Sequence, residues 1–155
     1  MNFELTISPI NEIDTDLELI VVVDKNFKHD FIQDKKLLQK SGFKAEQDET
    51  CLLISKDRLY VGVEKINDEN LRVAMAKAIQ ALSSTKYKTL KIASYMKNKK
   101  STSTLRAMVE GFILGAYSFD TYKTEKAKQP IKEIIISLEE YNAFELDIER
   151  CASAV

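Results

Sequence analysis

The run Leu17-Glu18-Leu19-Ile20-Val21-Val22-Val23 opens in the alternation of a half-buried strand and passes into an unbroken β-branched stretch, the pattern of a strand covered on both faces. Such a strand belongs in the middle of a sheet with a layer packed on each side. Upstream of it, Phe3, Leu5 and Ile7 alternate with Glu4, Thr6 and Ser8 as far as Pro9, so an edge strand with one buried face is expected there. Downstream, Asp30 to Gln39 carries Phe31, Ile32, Leu37 and Leu38 at the spacing of a short amphipathic helix. Ser41-Gly42 then supplies the left-handed residue that commonly ends one.

Beyond the polar stretch 43–49, Thr50 to Ile54 and Arg58 to Val63 read as two strands joined by Ser55-Lys56-Asp57, a hairpin spacing. Asn67 is placed to cap a helix whose first turn holds Asp68 and Glu69 at the positive end of the macrodipole. Leu71, Ala74, Met75, Ala78, Ile79 and Leu82 follow as its core stripe. Leu90, Ile92 and Ala93 mark another strand, and Asn98-Lys99-Lys100-Ser101 a loop. Thr102 or Ser103 opens a second strong helix, with Leu105, Met108, Val109, Phe112, Ile113 and Ala116 expected to face inward.

Gly111 and Gly115 lie on one face of that helix, where each costs about 1 kcal/mol against alanine. Close approach of another backbone is the expected compensation. Residues 118–129 form a lysine-rich loop ended by Pro130, Ile131 to Ser137 is a β-branched strand, and Tyr141 to Ala154 reads as a last helix with Phe144, Ile148 and Cys151 on one side. Strands alternating with helices, plus one hairpin, predict a single α/β domain over residues 1–155, a three-layer α/β/α fold with a mixed sheet.

Apolar residues make up 45% of the chain and charged residues 30%, which suits a globular domain. No apolar run reaches the roughly 18 residues of a membrane span. The N-terminus lacks the basic start and apolar core of a signal peptide, so a cytoplasmic location is expected. Cys51 and Cys151 are too few for a disulfide framework, and His29, the single histidine, has no partner of its kind for a zinc site.

Net charge is −1, so no global field draws the chain to nucleic acid. Its distribution is uneven. Residues 1–30 carry seven acids against Lys25 and Lys28, and residues 86–128 carry ten basic residues against Glu110, Asp120 and Glu125. A solvated basic rim accounts for the second block, with an anion or nucleic-acid surface as the alternative. The four glycines, Gly42, Gly62, Gly111 and Gly115, form no phosphate-cradling loop, and no Gly-x-Ser-x-Gly elbow is present. No residue is assigned as catalytic, cofactor-binding or metal-ligating.

Glu110-Gly111-Phe112-Ile113-Leu114-Gly115-Ala116-Tyr117-Ser118-Phe119-Asp120-Thr121-Tyr122-Lys123 closely resembles the segment that ends the N-terminal domain of leucyl (cytosol) aminopeptidases. The likeness extends to Asp16–Val22, to Gly42-Phe43-Lys44-Ala45, to Arg58–Lys65 with Leu71-Arg72-Val73-Ala74, and to Ile131–Ser137 followed by Glu149-Arg150. It implies a macro-domain-like fold for residues 1–155, with Val155 falling about where the family's linker helix toward a catalytic domain begins. It also implies that the full-length protein is a metalloprotease, a hydrolase that releases N-terminal residues such as leucine from peptides using two divalent ions, zinc or manganese.

In that family the metal ligands and catalytic side chains belong to the C-terminal domain, so none transfers to a position of this chain. The implied partners are that catalytic domain, peptide substrates and the other subunits of a hexamer, in which N-terminal domains lie outside the core, help bridge trimers and limit access. Some bacterial members bind DNA, so a nucleic-acid-binding module using residues 86–128 is the alternative. An independent macro-type binder of ADP-ribose would need glycine-rich phosphate loops that this chain lacks.

Overall fold

The computed structural model describes residues 1–23, 32–95, 102–122 and 130–138. In chain order these hold β1 (Asn2–Thr6), β2 (Leu17–Val22), α1 (Lys35–Ser41), β3 (Thr50–Leu53), β4 (Arg58–Gly62), α2 (Asp68–Ala81), β5 (Thr89–Ala93), α3 (Thr102–Tyr122) and β6 (Glu133–Ser137). The strands form one sheet in the order β1-β6-β5-β2-β4-β3. All neighbours are parallel except β3, which returns antiparallel along β4. The uninterrupted apolar run therefore lies between β5 and β4, and the alternating N-terminal strand lies at an edge, each where its burial pattern requires.

Alternation along the strands builds two cores. Leu17, Leu19 and Val21 of β2, Leu59 and Val61 of β4, Leu90 and Ile92 of β5 and Ile134 and Ile136 of β6 pack on one face against α2 and α3. Ile20, Val22 and Tyr60 point the other way, onto Leu38 of α1 with Phe43 and Ala45. Helices on both faces make the three layers, and the single antiparallel strand makes the sheet mixed.

α2 starts where expected, the Asn67 side chain accepting the Asn70 N–H at 2.7 Å. α3 runs parallel to it, tied at the start by Thr104 Oγ1 donating to Asp68 Oδ1 (2.8 Å) and further along by Arg72, which reaches Glu110 at 3.3 Å. The two glycines of α3 face this neighbour. A Cβ at Gly111 would collide with the Arg72 carbonyl oxygen and lie 2.9 Å from Met75 Cβ; one at Gly115 would lie 2.6 Å from the Ala76 carbonyl oxygen. Backbone approach is what their lost helix propensity secures.

Four expectations are corrected. α1 begins at Lys35, not Asp30: residues 32–34 precede it without helical structure, and the Asp34 side chain makes no cap bond to its amides, being engaged elsewhere as described below. Residues 118–122, read as the start of a loop, continue α3, because no glycine or proline interrupts the chain before Pro130. Ile113, expected inward, is half exposed, because the glycine seam with α2 sets the rotation of the helix. Leu5 and Ile7 are likewise exposed, and on the edge strand only Phe3 reaches the core, its ring 6.2 Å from that of Phe112. His29, the loop 98–101, Cys151 and the expected helix 141–154 lie outside the described residues.

Candidate functional site

Polar side chains gather at three places, the most concentrated on the α1 face of the sheet. Glu18 of β2 stands level with Arg58 of β4 on one side and Lys91 of β5 on the other. Arg58 Nη1 donates to both carboxylate oxygens of Asp34 at 3.0 Å, Nη2 donates to Gln33 Oε1 at 2.8 Å, and Nε lies 3.7 Å from Glu18 Oε1. The buried Tyr60 hydroxyl donates to Asp34 Oδ2 at 2.7 Å. Lys91 Nζ donates to the carbonyls of Ile10 and Ile13, both at 2.8 Å. Arg58 and Tyr60, two apart on one strand, share a face and meet the segment that leads into α1.

Burial drives the Glu18 carboxyl above its ordinary range, against the pull of Lys91 and Arg58. Burial, with the hydrogen bond to Asp34, also pushes the Tyr60 hydroxyl upward, so it stays protonated as a donor. Asp34, itself buried, accepts from both Arg58 and Tyr60. The cluster is a tether that holds the start of α1 on the sheet.

The sign of the Glu18 shift makes stability depend on pH. A carboxyl raised on folding binds its proton more tightly in the native state, so its charged form costs stability above the folded pKa. That cost fades as pH falls toward the ordinary value of 4.5. Glu18→Gln is therefore expected to melt at or above the wild-type temperature near pH 7.5 and together with it near pH 4. Thermal denaturation at the two pH values checks this, and a variant that melts below wild type at pH 7.5 contradicts it.

The second place is the carboxyl end of the sheet, where open parallel sheets bind ligands between parting strands. β2 and β5 pair only from Leu17↔Leu90 to Leu19↔Ile92. Above that level Tyr95, buried and in the left-handed region at φ 53°, brings its hydroxyl to the β2 backbone and accepts the Val21 N–H at 2.8 Å. A phenol thus occupies the gap in which this sheet architecture would open a crevice. The neighbouring Ser94 hydroxyl is buried without a hydrogen-bond partner. Segments 24–31 and 96–101, which follow β2 and β5, lie outside the described residues.

The third is an open groove of about 900 Å³ at the opposite end, with Leu52, Ile54 and Ala81 among its walls and Asp16, Asp57, Lys86 and Tyr87 around them. Its acids already hold partners: Asp57 Oδ1 accepts the Tyr87 hydroxyl at 2.9 Å, and Asp16 Oδ2 accepts the Lys88 N–H at 2.9 Å. Among the described residues no group of three or more His, Cys, Asp or Glu is placed to hold a metal ion. Nor is any helix among them long and apolar enough to cross a membrane.

Neither the Arg58–Asp34–Tyr60 tether nor Tyr95 is identified in the sequence reading. The available signal was the polar pair Arg58 and Tyr60 on one face of an otherwise apolar strand, which requires a buried acceptor nearby.

A six-stranded sheet of this order between helical layers defines a macro-like α/β domain. The solved structures it resembles include the Trypanosoma brucei macrodomain in complex with ADP-ribose, with a TM-score of 0.60 at 12% identity over 95% of this chain and 69% of that one. They also include a tomato leucine aminopeptidase mutant, with a TM-score of 0.68 at 15% identity over 98% of this chain and 36% of that one. At such identities both likenesses concern the fold alone. The sequence goes further: residues 32–126 match the N-terminal domain of the cytosol aminopeptidase family. A protein of Wolinella succinogenes described as a probable cytosol aminopeptidase is 31% identical over 140 residues, 90% of this chain and 29% of the relative. The chain belongs to the cytosol aminopeptidase family, as its N-terminal domain, and it spans less than a third of the length of that relative.

Proposed function

We propose that residues 1–155 are the architectural, non-catalytic N-terminal domain of a cytoplasmic, metal-dependent aminopeptidase that releases N-terminal amino acids from peptides. The family match over residues 32–126 carries this reading. The two divalent ions of such an enzyme, zinc or manganese, do not fit the described residues, among which no three or more His, Cys, Asp or Glu stand together to hold one. They belong to a catalytic portion outside this domain. In the assembled hexamer the domain shapes access to the active sites and adds contacts between subunits. Against a macro-type ligand role stands the Tyr95 hydroxyl, which bridges to the β2 backbone at Val21, although the bordering segments 24–31 and 96–101 lie outside the described residues. Of the ten basic residues on which a nucleic-acid role would rest, Lys97, Lys99, Lys100, Lys123, Lys126 and Lys128 lie outside the described residues, and among the described ones Lys91 is turned onto the carbonyls of Ile10 and Ile13.

The 155-residue chain is expected neither to hydrolyse leucine p-nitroanilide in the presence of manganese nor to bind zinc or manganese tightly. A kinetic assay and a metal titration on the pure chain check this. Turnover that tracks the protein through purification would overturn the non-catalytic reading.

A further inference from the structure

Ile113 and Leu114 stand on the outward side of α3 with half of each side chain exposed, 50% and 51%, and Tyr117, one turn on, is 69% exposed. Their orientation is imposed by the glycine seam, which turns Gly111 and Gly115 to the backbone of α2 at Arg72 and Ala76. Two helices in backbone contact leave no groove between them. An exposed apolar face suits a protein surface, whereas a small molecule needs a concave pocket.

We propose that this face of α3 seats the portion of an aminopeptidase subunit that lies outside this domain, an inference that rests on the reading given under Proposed function. In the Wolinella succinogenes relative the matched part is 29% of the chain, so more than two thirds of that subunit lies elsewhere while remaining covalently attached. A tethered partner acts at high effective concentration, so two aliphatic side chains and a tyrosine give it enough to grip. A stable pair of separate copies buries roughly 800 Å² on each partner, more than these three side chains present. The exposed Arg106 and the half-buried Glu110 supply the polar rim that protein interfaces place around an apolar centre.

Maleimide labelling of Ile113→Cys in a Cys51→Ser, Cys151→Ser background tests this. It is run on the 155-residue chain, and again after residues 1–155 replace the matched segment of the Wolinella succinogenes relative. Labelling in the fusion is expected to be about tenfold slower, the rate left when the face is open roughly a tenth of the time. Ile54→Cys, exposed at the amino-terminal end of the sheet, should label equally in both. An equal rate at position 113 overturns the proposal, and slow labelling in a dimer of the isolated chain overturns it in favour of a second copy.

Hydrolysis of leucine p-nitroanilide by the fusion separates the two readings. An active fusion with position 113 open refutes the docking face alone, and a folded but inactive fusion refutes the aminopeptidase reading beneath it. Where the fusion does not fold, the remaining segment of the relative is supplied in trans at about 1 mM, the effective concentration that a short tether provides. Protection of position 113 then supports the docking face, and unchanged labelling overturns it.

Discussion

Gly111→Ala is expected to destabilise the domain by about 2 kcal/mol, and Gly111→Leu by about 3 kcal/mol or more. Helix propensity alone predicts the opposite sign, since alanine inside a helix is favoured over glycine by about 1 kcal/mol. Packing prevails because the atom a new Cβ would strike is the Arg72 carbonyl oxygen, with Met75 Cβ at 2.9 Å behind it. A carbonyl in the middle of α2 cannot swing aside as a side-chain tip can. The helices must separate, which loosens Phe112 and Met108 from the core beneath them. Urea unfolding gives the free energy directly, and for a chain of this length a loss of 2 kcal/mol lowers Tm by about 6 °C. An unchanged or raised Tm in Gly111→Ala would show that the seam opens without penalty, and the account of Ile113's outward turn would fail with it.

Asp34→Ala is expected to cost about 3 kcal/mol, because it removes in one step the acceptor shared by Arg58 and the buried Tyr60 hydroxyl. Arg58 loses its bidentate acceptor and keeps Gln33 and, at 3.7 Å, Glu18; the Tyr60 hydroxyl, buried beneath α1, loses the acceptor of its 2.7 Å bond. Water reaches Arg58 in part but not the fully buried Tyr60, so most of the penalty falls on the tyrosine. Tyr60→Phe should then cost about 1 kcal/mol alone and add little to Asp34→Ala, since the stranded hydroxyl is removed. A double-mutant cycle measured by denaturant unfolding reads that coupling. Additive losses would mean that Tyr60 and Asp34 act independently, contrary to the geometry.

Much of the fold was legible in the residues because it depends on short-range chemistry. The β-branched run 20–23 has no polar face to offer solvent, so it had to lie inside a sheet. Asn67, Asp68 and Glu69 carry the groups that a helix start needs, and Asn67 caps α2 as read. Gly42 has the left-handed conformation, φ 84°, that ends α1. Gly111 and Gly115, costly in any helix, announced a close neighbour without naming it.

The remainder depends on residues that meet only after the chain has packed. Asp34, Arg58 and Tyr60 lie up to 26 positions apart, and no local period marks them as partners. The helical repeat also misplaces Ile113, because a helix rich in apolar residues all round has several possible inward faces, and contact with α2 selects among them. Tyr95 reaches Val21 across 74 positions and closes the gap between β2 and β5 through a left-handed backbone that no tyrosine prefers. Periodicity, caps and breakers are properties of neighbouring residues and can be read one after another. Strand order, helix rotation and the pairing of buried polar groups are properties of distant surfaces, settled by which combination buries the most apolar area while leaving the fewest donors unmet.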